Sequence, residues 1–395
     1  MDFFASPWDA VSPVLVWILG LKVSDLFGRK FNQTQKRSRI LYSWHTVWCI
    51  AYLVFSLTSG ADSLDYYNGS YLNSSSFSLL GTSFIFQLTA LLSGALGLSY
   101  LSCFLVYNII GTCGYLAFDS TIRSLTADKT QLIKKLATLV VFLPSLSFWS
   151  SAIGKDPFAF TASCLALWSA LDISRRKTIA LSSIALMLLV RPHIAGIMIL
   201  SFAVSLLFSR QLPFLSRLSF LVVFMVCLSL VAPLIADYVG ISQNATSDDL
   251  NAFIESRQGS NLEGGSSITI EGIPLPFQMI SYLLRPSILE INSFFSLISA
   301  IENLLLLVVF LLGINGYLRS FRLHSKALFV FLIPCSFFTW AILAATTANL
   351  GIAARQKWML LPMLVYLSLS AVRPARLCSS DISSSIPPLA SKAIH

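Results

Sequence analysis

Long apolar runs dominate the chain and alternate with short polar, mostly basic segments. Runs of about 15 to 20 apolar residues predict membrane-spanning helices. The strands of a membrane barrel would instead alternate polar and apolar residues, and these runs do not. The pattern predicts an all-α, polytopic integral membrane protein with about eleven transmembrane helices. The predicted spans cover residues 8–23, 40–58, 96–118, 136–150, 158–173, 178–190, 194–208, 218–236, 296–317, 327–348 and 357–372.

Several of these spans are shorter than the roughly 20 residues that an upright helix needs to cross a bilayer. They form two predicted broken hairpins, over 136–173 and 178–208. The first turns at Gly154-Lys155-Asp156-Pro157, where Asp156 fits a helix N-cap and Pro157 fits the first turn. The second turns at Arg191-Pro192-His193. Because the arms are short, both charged tips are predicted to lie at or below the membrane surface. Two further runs, 80–95 and 277–292, are typical of re-entrant or interfacial helices.

The distribution of Lys and Arg predicts which loops face the cytoplasm. One alternating set of loops holds 21 of the 27 basic residues, and the alternation stays in phase through all eleven spans. Basic loops are typically cytoplasmic, so the N-terminus is predicted outside and the C-terminus inside. The predicted organisation is a single transmembrane domain over 1–376, with a long outer loop at about 237–295 and a disordered cytoplasmic tail over 377–395.

Composition supports the membrane assignment and excludes other classes. The chain is 55% hydrophobic and 11% charged, whereas soluble proteins carry about 25% charged residues. The net charge of +9 lies in short loops, where the positive-inside rule explains it, so no nucleic-acid partner is predicted. Seven cysteines without a CxxC pair indicate neither a zinc site nor a disulfide framework.

Ionisable residues from distant segments collect on the predicted outer side. Such residues are costly at membrane depth and are usually paired or functional, so the sequence predicts a polar cavity that opens outward. Its excess of Arg and Lys suits an anionic ligand, since guanidinium binds phosphate in a bidentate way. Each residue also has a structural interpretation as a helix cap, a snorkelling side chain or a helix-end anchor. The predicted lining is Lys155, Arg191, His193, Arg285 and Arg355, with Asp65, Asp156 and Glu302 of opposite charge.

Four segments carry a family resemblance. In order, "LPSLSFWSSAIGKDPFAF", "LLVRPHIAGIMIL", "YLLRPSILEINSFFSLISAIENLLLL" and "NLGIAARQKWMLLPML" resemble bacterial membrane proteins of surface-polysaccharide synthesis. These are Wzy-like oligosaccharide (O-antigen) polymerases and the wider GT-C class of glycosyltransferases, and the resemblance covers roughly residues 60–370. It implies a GT-C-like fold and sugar transfer from a polyprenyl phosphate or pyrophosphate, at the outer face of the bacterial inner membrane.

The resemblance also implies roles for individual residues. An acidic residue in the first outer loop, here Asp65, would be the base or a metal contact, and Arg191, Arg285 and Arg355 would hold the pyrophosphate. The chain departs from the family pattern, because its first outer loop has Asp62-Ser-Leu-Asp65 instead of Asp-x-Asp. An Arg-x10-Gly motif is not clear in the long outer loop, where Arg257 is a weak match. No resident cofactor or metal is therefore predicted, although a divalent cation stays open.

The predicted mechanism stabilises a departing polyprenyl (pyro)phosphate with Lys155 and the three arginines. Asp65 is the first choice as base, and His193 or Asp156 the second. Glu302 is assigned to the cavity structure. The expected partners are a polyprenyl-phosphate-linked glycan and membrane lipids. Two other functions stay open: a secondary transporter or flippase for an anionic or lipid-linked substrate, and a non-catalytic scaffold.

Overall fold

The computed structural model describes residues 6–69, 80–208, 213–239, 254–259, 267–268, 272–319 and 326–375. The predicted tail and much of the predicted outer loop lie outside them. Within these ranges there is no β-strand, and one isolated bridge joins Ser267 and Asn349. The helices are α1 Pro7–Lys30, α2 Gln35–Ser59, α3 Asp62–Asn68, α4 Thr82–Ala90, α5 Tyr100–Thr126, α6 Gln131–Val141, α7 Pro144–Trp149, α8 Asp156–Ala170, α9 Lys177–Val190, α10 Pro192–Leu207, α11 Phe214–Val239, α12 Leu275–Leu284, α13 Phe294–Arg319, α14 Lys326–Thr346, α15 Leu350–Gln356 and α16 Leu361–Ala371.

The described residues contain seven helices that are long and apolar enough to cross a membrane. They are α1, α2, α5, the nearly continuous α6–α7 segment, α11, α13 and α14. The prediction of an all-helical protein is therefore confirmed for the described ranges, and the long apolar helices are consistent with a polytopic membrane protein. The remaining predicted spans form α8, α9, α10 and α16, which have 15, 14, 16 and 11 residues. Eleven crossings and a GT-C-like fold stay predictions.

The helix bundle has two ends that differ in their polar residues. α8 begins at Asp156, and its last turns bring Trp168 edge-on to Phe31, just after α1, with ring centroids 4.9 Å apart. α5 packs along α8 and carries Asp119 in its last two turns, where Asp119 pairs with Arg37 at the start of α2. Asp156 and Asp119 therefore lie at opposite ends of the bundle. We call these ends the Asp156 end and the Asp119 end.

Two glycines of α5 allow the helix to approach the α7–α8 segment closely. A Cβ at Gly111 would lie 1.9 Å from the carbonyl oxygen of Ser150, and one at Gly114 would lie 2.5 Å from Cα of Thr161. Small residues commonly permit such backbone contacts between membrane helices. The close approach fixes the break between α7 and α8, which carries the charged residues at the Asp156 end.

Candidate functional site

The break before α8 places two predicted site residues side by side. α7 ends at Trp149, and Pro157 lies in the first turn of α8, as predicted. The prediction that Asp156 caps α8 is wrong, because Lys155 occupies the cap position and no side chain caps the helix. Asp156 is the first helical residue, and its carboxylate points to two guanidinium groups. Charge-assisted pairs are stronger than a capping bond to neutral N–H groups, which explains the difference.

A second break positions Arg191. α9 ends at Val190 and α10 begins at Pro192. Proline disfavours helical backbone in the residue before it, and Arg191 has φ −145° and ψ 76°. Its backbone N–H still donates to the carbonyl of Met187 at 2.7 Å. The residue is therefore held firmly while its side chain turns inward, where it is only 8% exposed.

An ion-pair chain joins residues from four distant segments at the Asp156 end. Arg191 Nη2 lies 3.3 Å from Asp156 Oδ1, and Arg355 Nε lies 2.8 Å from Asp156 Oδ2. Arg355 Nη1 donates to Asp62 Oδ2 at 2.8 Å. We call Asp62, Lys155, Asp156, Arg191 and Arg355 the Asp156 cluster. Asp156 is the centre of this cluster, because it bridges the two arginines.

Lys155 adds a third cation. Its Nζ donates to Thr82 Oγ1 at the start of α4, at 2.9 Å. Burial and the positive charge of Arg191, with smaller effects of Arg355 and Arg257, lower the pKa of Lys155 to about 8, although Asp156 opposes the shift. Three cations thus face two carboxylates, and Arg257 adds further positive charge. The field of the cluster favours an anion.

Three buried donors of the site have no hydrogen-bond acceptor among the described residues. They are Arg191 Nε, Arg355 Nε and the hydroxyl of Tyr282 at the end of α12. Arg355 Nε lies close to Asp156, but its N–H is not aligned for a hydrogen bond. The Tyr282 hydroxyl lies within electrostatic reach of Arg191 and Asp156. Buried donors are normally paired, so Arg191 Nε and the Tyr282 hydroxyl could donate to an anionic oxygen, whereas Arg355 Nε is already held in the ion pair with Asp156.

A small cleft adjoins the cluster and is closed. It has about 10 Å³ of free space, which is room for roughly one water molecule. Tyr52, Tyr66 and Trp149 supply its aromatic wall, beside Asp62, Asp156 and Arg355. A phosphate group can enter only if the cleft widens.

The segment that carries Asp62 is suited to such a movement. The Asp62 side chain is 56% exposed, whereas Asp156 is buried. α3 follows Gly60, which has φ +69° and open space where a Cβ would lie. Glycine permits this conformation without strain. Asp62 is therefore the member of the cluster that can exchange most easily with a ligand.

Three predicted lining residues lie elsewhere. Arg285 Nε donates to Glu290 Oε1 at 2.6 Å, and no contact joins it to the Asp156 cluster among the described residues. Asp65 is exposed on α3, one turn after Asp62, and it is Asp62 that contacts Arg355. Glu302 belongs to a separate buried group. The roles predicted for these residues stay predictions.

The group around Glu302 braces the helices that carry the site. Glu302 Oε1 accepts from the backbone N–H of Ser145 in α7 at 2.8 Å. The neighbouring Asn303 accepts from Lys357 Nζ at 2.5 Å, and Trp358 Nε1 donates to Ser145 Oγ at 3.1 Å. These bonds tie α13 to α7 and to the segment between α15 and α16. Glu302 therefore holds helices together behind the site, and its predicted place in the cavity lining stays a prediction.

His193 lies in the first turn of α10, within electrostatic reach of Arg191, Arg257 and Lys155. Of the predicted base candidates, Asp156 contacts the arginines directly, and His193 lies within electrostatic reach of them. Tyr282 was not predicted as a site residue, because a tyrosine in an apolar run has no distinguishing local signal.

A buried polar network behind the site was also missed. His45 Nδ1 lies 2.5 Å from Asn108 Oδ1, and His45 Nε2 lies 2.9 Å from Ser150 Oγ. All three residues are buried, and they connect α2 and α5 to the break before α8. A His and an Asn within apolar runs were the signal that could have revealed it.

Known proteins provide no assignment for this site. No protein-family model matches the chain, and no curated protein or solved structure is significantly similar to it. Within the described ranges, no three His, Cys, Asp or Glu side chains lie close enough to hold a metal ion. The functional argument therefore depends on the geometry of the Asp156 cluster.

Proposed function

We propose that the protein is a membrane glycosyltransferase that takes its donor sugar from a polyprenyl phosphate or pyrophosphate. Within this class, a Wzy-like repeat-unit polymerase or a related GT-C enzyme of cell-surface polysaccharide synthesis is our first choice. The observation that carries the proposal is the convergence of Lys155, Arg191 and Arg355 around unsatisfied buried donors. The (pyro)phosphate would bind there.

The ion pairs explain how a closed site accepts this group. A phosphate oxygen would replace the exposed carboxylate of Asp62 on Arg355, while the buried Asp156 keeps Arg191 and Arg355 in position. Phosphate matches the guanidinium fork as well as a carboxylate does. The exchange would move α3 away from α15 and open the cleft beside Tyr66 and Trp149, whose rings then face the sugar.

The same cations would stabilise the reaction. When the sugar leaves its carrier, negative charge grows on the phosphate oxygens, and preplaced cations in a site shielded from water lower the barrier. A base must accept the proton of the acceptor hydroxyl. Burial raises the pKa of Asp62, but Arg355 outweighs this effect and the net pKa is lowered, so Asp62 is a weak base. Burial and the nearby cations, Arg191 first among them, also lower the pKa of His193, to about 3, so it too is a weak base. Asp65, which the family resemblance implies, stays the first candidate, with His193 and Asp156 as the alternatives.

The proposed location follows from the basic loops. The Asp119 end carries the basic segments before α2, α6 and α9, so we place it in the cytoplasm. The Asp156 end would then face the outer side of a bacterial inner membrane, with the N-terminus outside and the C-terminus inside. A lipid-linked glycan would reach the site from the outer leaflet.

The test is a deletion strain whose surface glycolipids are separated on a gel. If the ladder of glycolipid bands is lost and only glycolipid with one repeat unit remains, the protein is a polymerase. If every repeat unit is shortened by the same sugar, the protein is a single-sugar transferase. Complementation with R355K or R191K should fail, because Lys keeps the charge but loses the forked geometry. R175K is the matched control, since Arg175 is exposed at the Asp119 end and pairs only with Asp172 among the described residues. An unchanged glycolipid pattern in the deletion strain would refute the proposal.

One observation favours a transporter as the second candidate. α9 and α10 meet at a broken turn that carries Arg191, and transporters bind anions at broken helices. Uptake of farnesyl pyrophosphate into vesicles that contain the purified protein would favour transport. Sugar transfer without uptake would favour the enzyme.

A further inference from the structure

A large polar cavity lies at the Asp119 end, opposite the proposed catalytic site. It has about 660 Å³ of free space, which is within the roughly 300–1,000 Å³ range of ligand pockets. The start of α2, the end of α5 and α6 form its walls. Its polar lining residues are Asn32, Gln33, Thr34, Arg37, Ser120, Arg123, Ser124, Thr126, Lys134 and Thr138.

The cavity has an excess of positive charge. Asp119 is fully buried, and it accepts from Arg37 Nη2 at 2.6 Å and from Gln33 Nε2 at 2.8 Å. Arg123 lies at the limit of an ion pair with Asp119, at 4.0 Å, and its side chain is 53% exposed. Lys134 has no ion-pair partner among the described residues. Two arginines therefore pair with the one carboxylate, Lys134 adds a third cation to the cavity lining, and Arg123 and Lys134 are available to an anionic ligand.

A second cavity of about 660 Å³ adjoins the polar one and has a polar rim of Gln35, Lys36, Arg39 and Ser43 beside an apolar wall. Its apolar wall consists of Ile40, Trp44 and Val47 of α2 and of Phe142, which follows α6. The guanidinium of Arg37 lies 4.9 Å above the Phe142 ring and forms the boundary between the two cavities. Successive residues of the set Lys134, Thr138 and Phe142 are four positions apart, so they lie on one face of the α6 segment. This face passes from the polar cavity to the adjoining one.

We infer that the Asp119 end binds an anionic membrane phospholipid. Its phosphodiester would lie between Arg123 and Lys134, and one acyl chain would follow Ile40, Trp44 and Val47. The basic cavity supplies the charge for the head group, and basic pockets between membrane helices are known to bind anionic lipids. The apolar wall of the adjoining cavity favours a lipid over a soluble phosphate. An acyl chain can pack against this wall, whereas free phosphate has no apolar part. This inference does not depend on the proposed enzymatic function.

Native mass spectrometry of the purified full-length chain tests the inference. The probes are dioleoylphosphatidylglycerol, dioleoylphosphatidylcholine and inorganic phosphate. We expect stronger retention of phosphatidylglycerol than of phosphatidylcholine. R123Q and K134Q should each weaken phosphatidylglycerol binding about fivefold. The matched control is K135Q, because Lys135 is the next residue of α6, is exposed, and does not line the cavity.

A second variant separates the lipid from a soluble ligand. Val47 is 58% exposed and belongs to the apolar wall of the adjoining cavity, so V47N should leave the fold intact and weaken phosphatidylglycerol binding. If V47N has no effect and inorganic phosphate competes fully with the lipid, the ligand is a soluble phosphate and the inference is overturned. If K134Q and K135Q weaken phosphatidylglycerol binding equally, the lipid does not bind specifically in the polar cavity and the inference is overturned.

Discussion

Removing the Tyr282 hydroxyl separates a ligand-binding role from a structural one. This hydroxyl is buried at the Asp156 end, and it has no hydrogen-bond partner among the described residues. A buried hydroxyl without a partner destabilises the folded protein, whereas the same hydroxyl would stabilise a bound phosphate. Y282F should therefore change stability and ligand affinity in opposite directions.

The expected change in stability follows from the cost of an unpaired polar group. Leaving a buried donor unsatisfied costs about 1–3 kcal/mol, so Y282F should raise the free energy of unfolding by about that amount. Y115F is the matched control, because the Tyr115 hydroxyl is buried and donates to the carbonyl of Val141 at 2.9 Å. Loss of this bond should lower stability by about 1 kcal/mol. Thermal unfolding in detergent measures both variants.

The expected change in affinity is larger. A hydrogen bond to a charged acceptor contributes about 1.5–3 kcal/mol, which corresponds to a roughly 10- to 150-fold increase in Kd for Y282F. Titration of the purified chain with farnesyl pyrophosphate measures this Kd, and Y115F should leave it unchanged. Unchanged affinity in a stabilised Y282F protein would refute phosphate binding at the unsatisfied donors.

Three further predictions concern the same end of the bundle. Affinity for farnesyl pyrophosphate should fall as the pH rises through about 8, because Lys155 loses its proton there; the affinity of K155R should depend less on pH than that of the wild type, and the same pH dependence in both proteins would contradict this role of Lys155. D62N should strengthen binding up to about fivefold, since it removes an exposed competitor of the phosphate on Arg355; weaker binding would show that Asp62 supports the ligand. G111A should lower the free energy of unfolding by about 1–3 kcal/mol, because the new methyl group would overlap the carbonyl of Ser150; an unchanged melting temperature would contradict this packing.

Apolar patterning predicted the helices well, because a backbone in lipid must satisfy its own hydrogen bonds. Each of the eleven predicted spans coincides with a described helix or with the α6–α7 segment. Proline predicted the break at Arg191 for an equally local reason. Pattern alone could not decide whether α8, α9, α10 and α16 cross the membrane, because that depends on how neighbouring helices shield them.

Pairing between charged side chains was less predictable. Asp156 was assigned to a helix cap because a local rule cannot include Arg191 and Arg355, which reach it from later segments. Arg285 was expected in the cavity, although the spacing of Ser287 and Glu290 is that of a capping box, and the structure has this capping box there. That local signal could have predicted that Glu290 lies close enough to hold Arg285.

The pair formed by Asp62 and Arg355 connects positions 293 residues apart. During synthesis, Asp62 is made long before Arg355 and lacks this partner until Arg355 leaves the ribosome, whereas Asp156 can pair with Arg191 earlier. The buried Asp156 then lacks its second guanidinium, and an incompletely paired buried carboxylate is costly. A chain whose translation stops before Arg355 should therefore stay loosely assembled and be open to proteolysis, because Asp62 has no guanidinium partner and Asp156 has only Arg191.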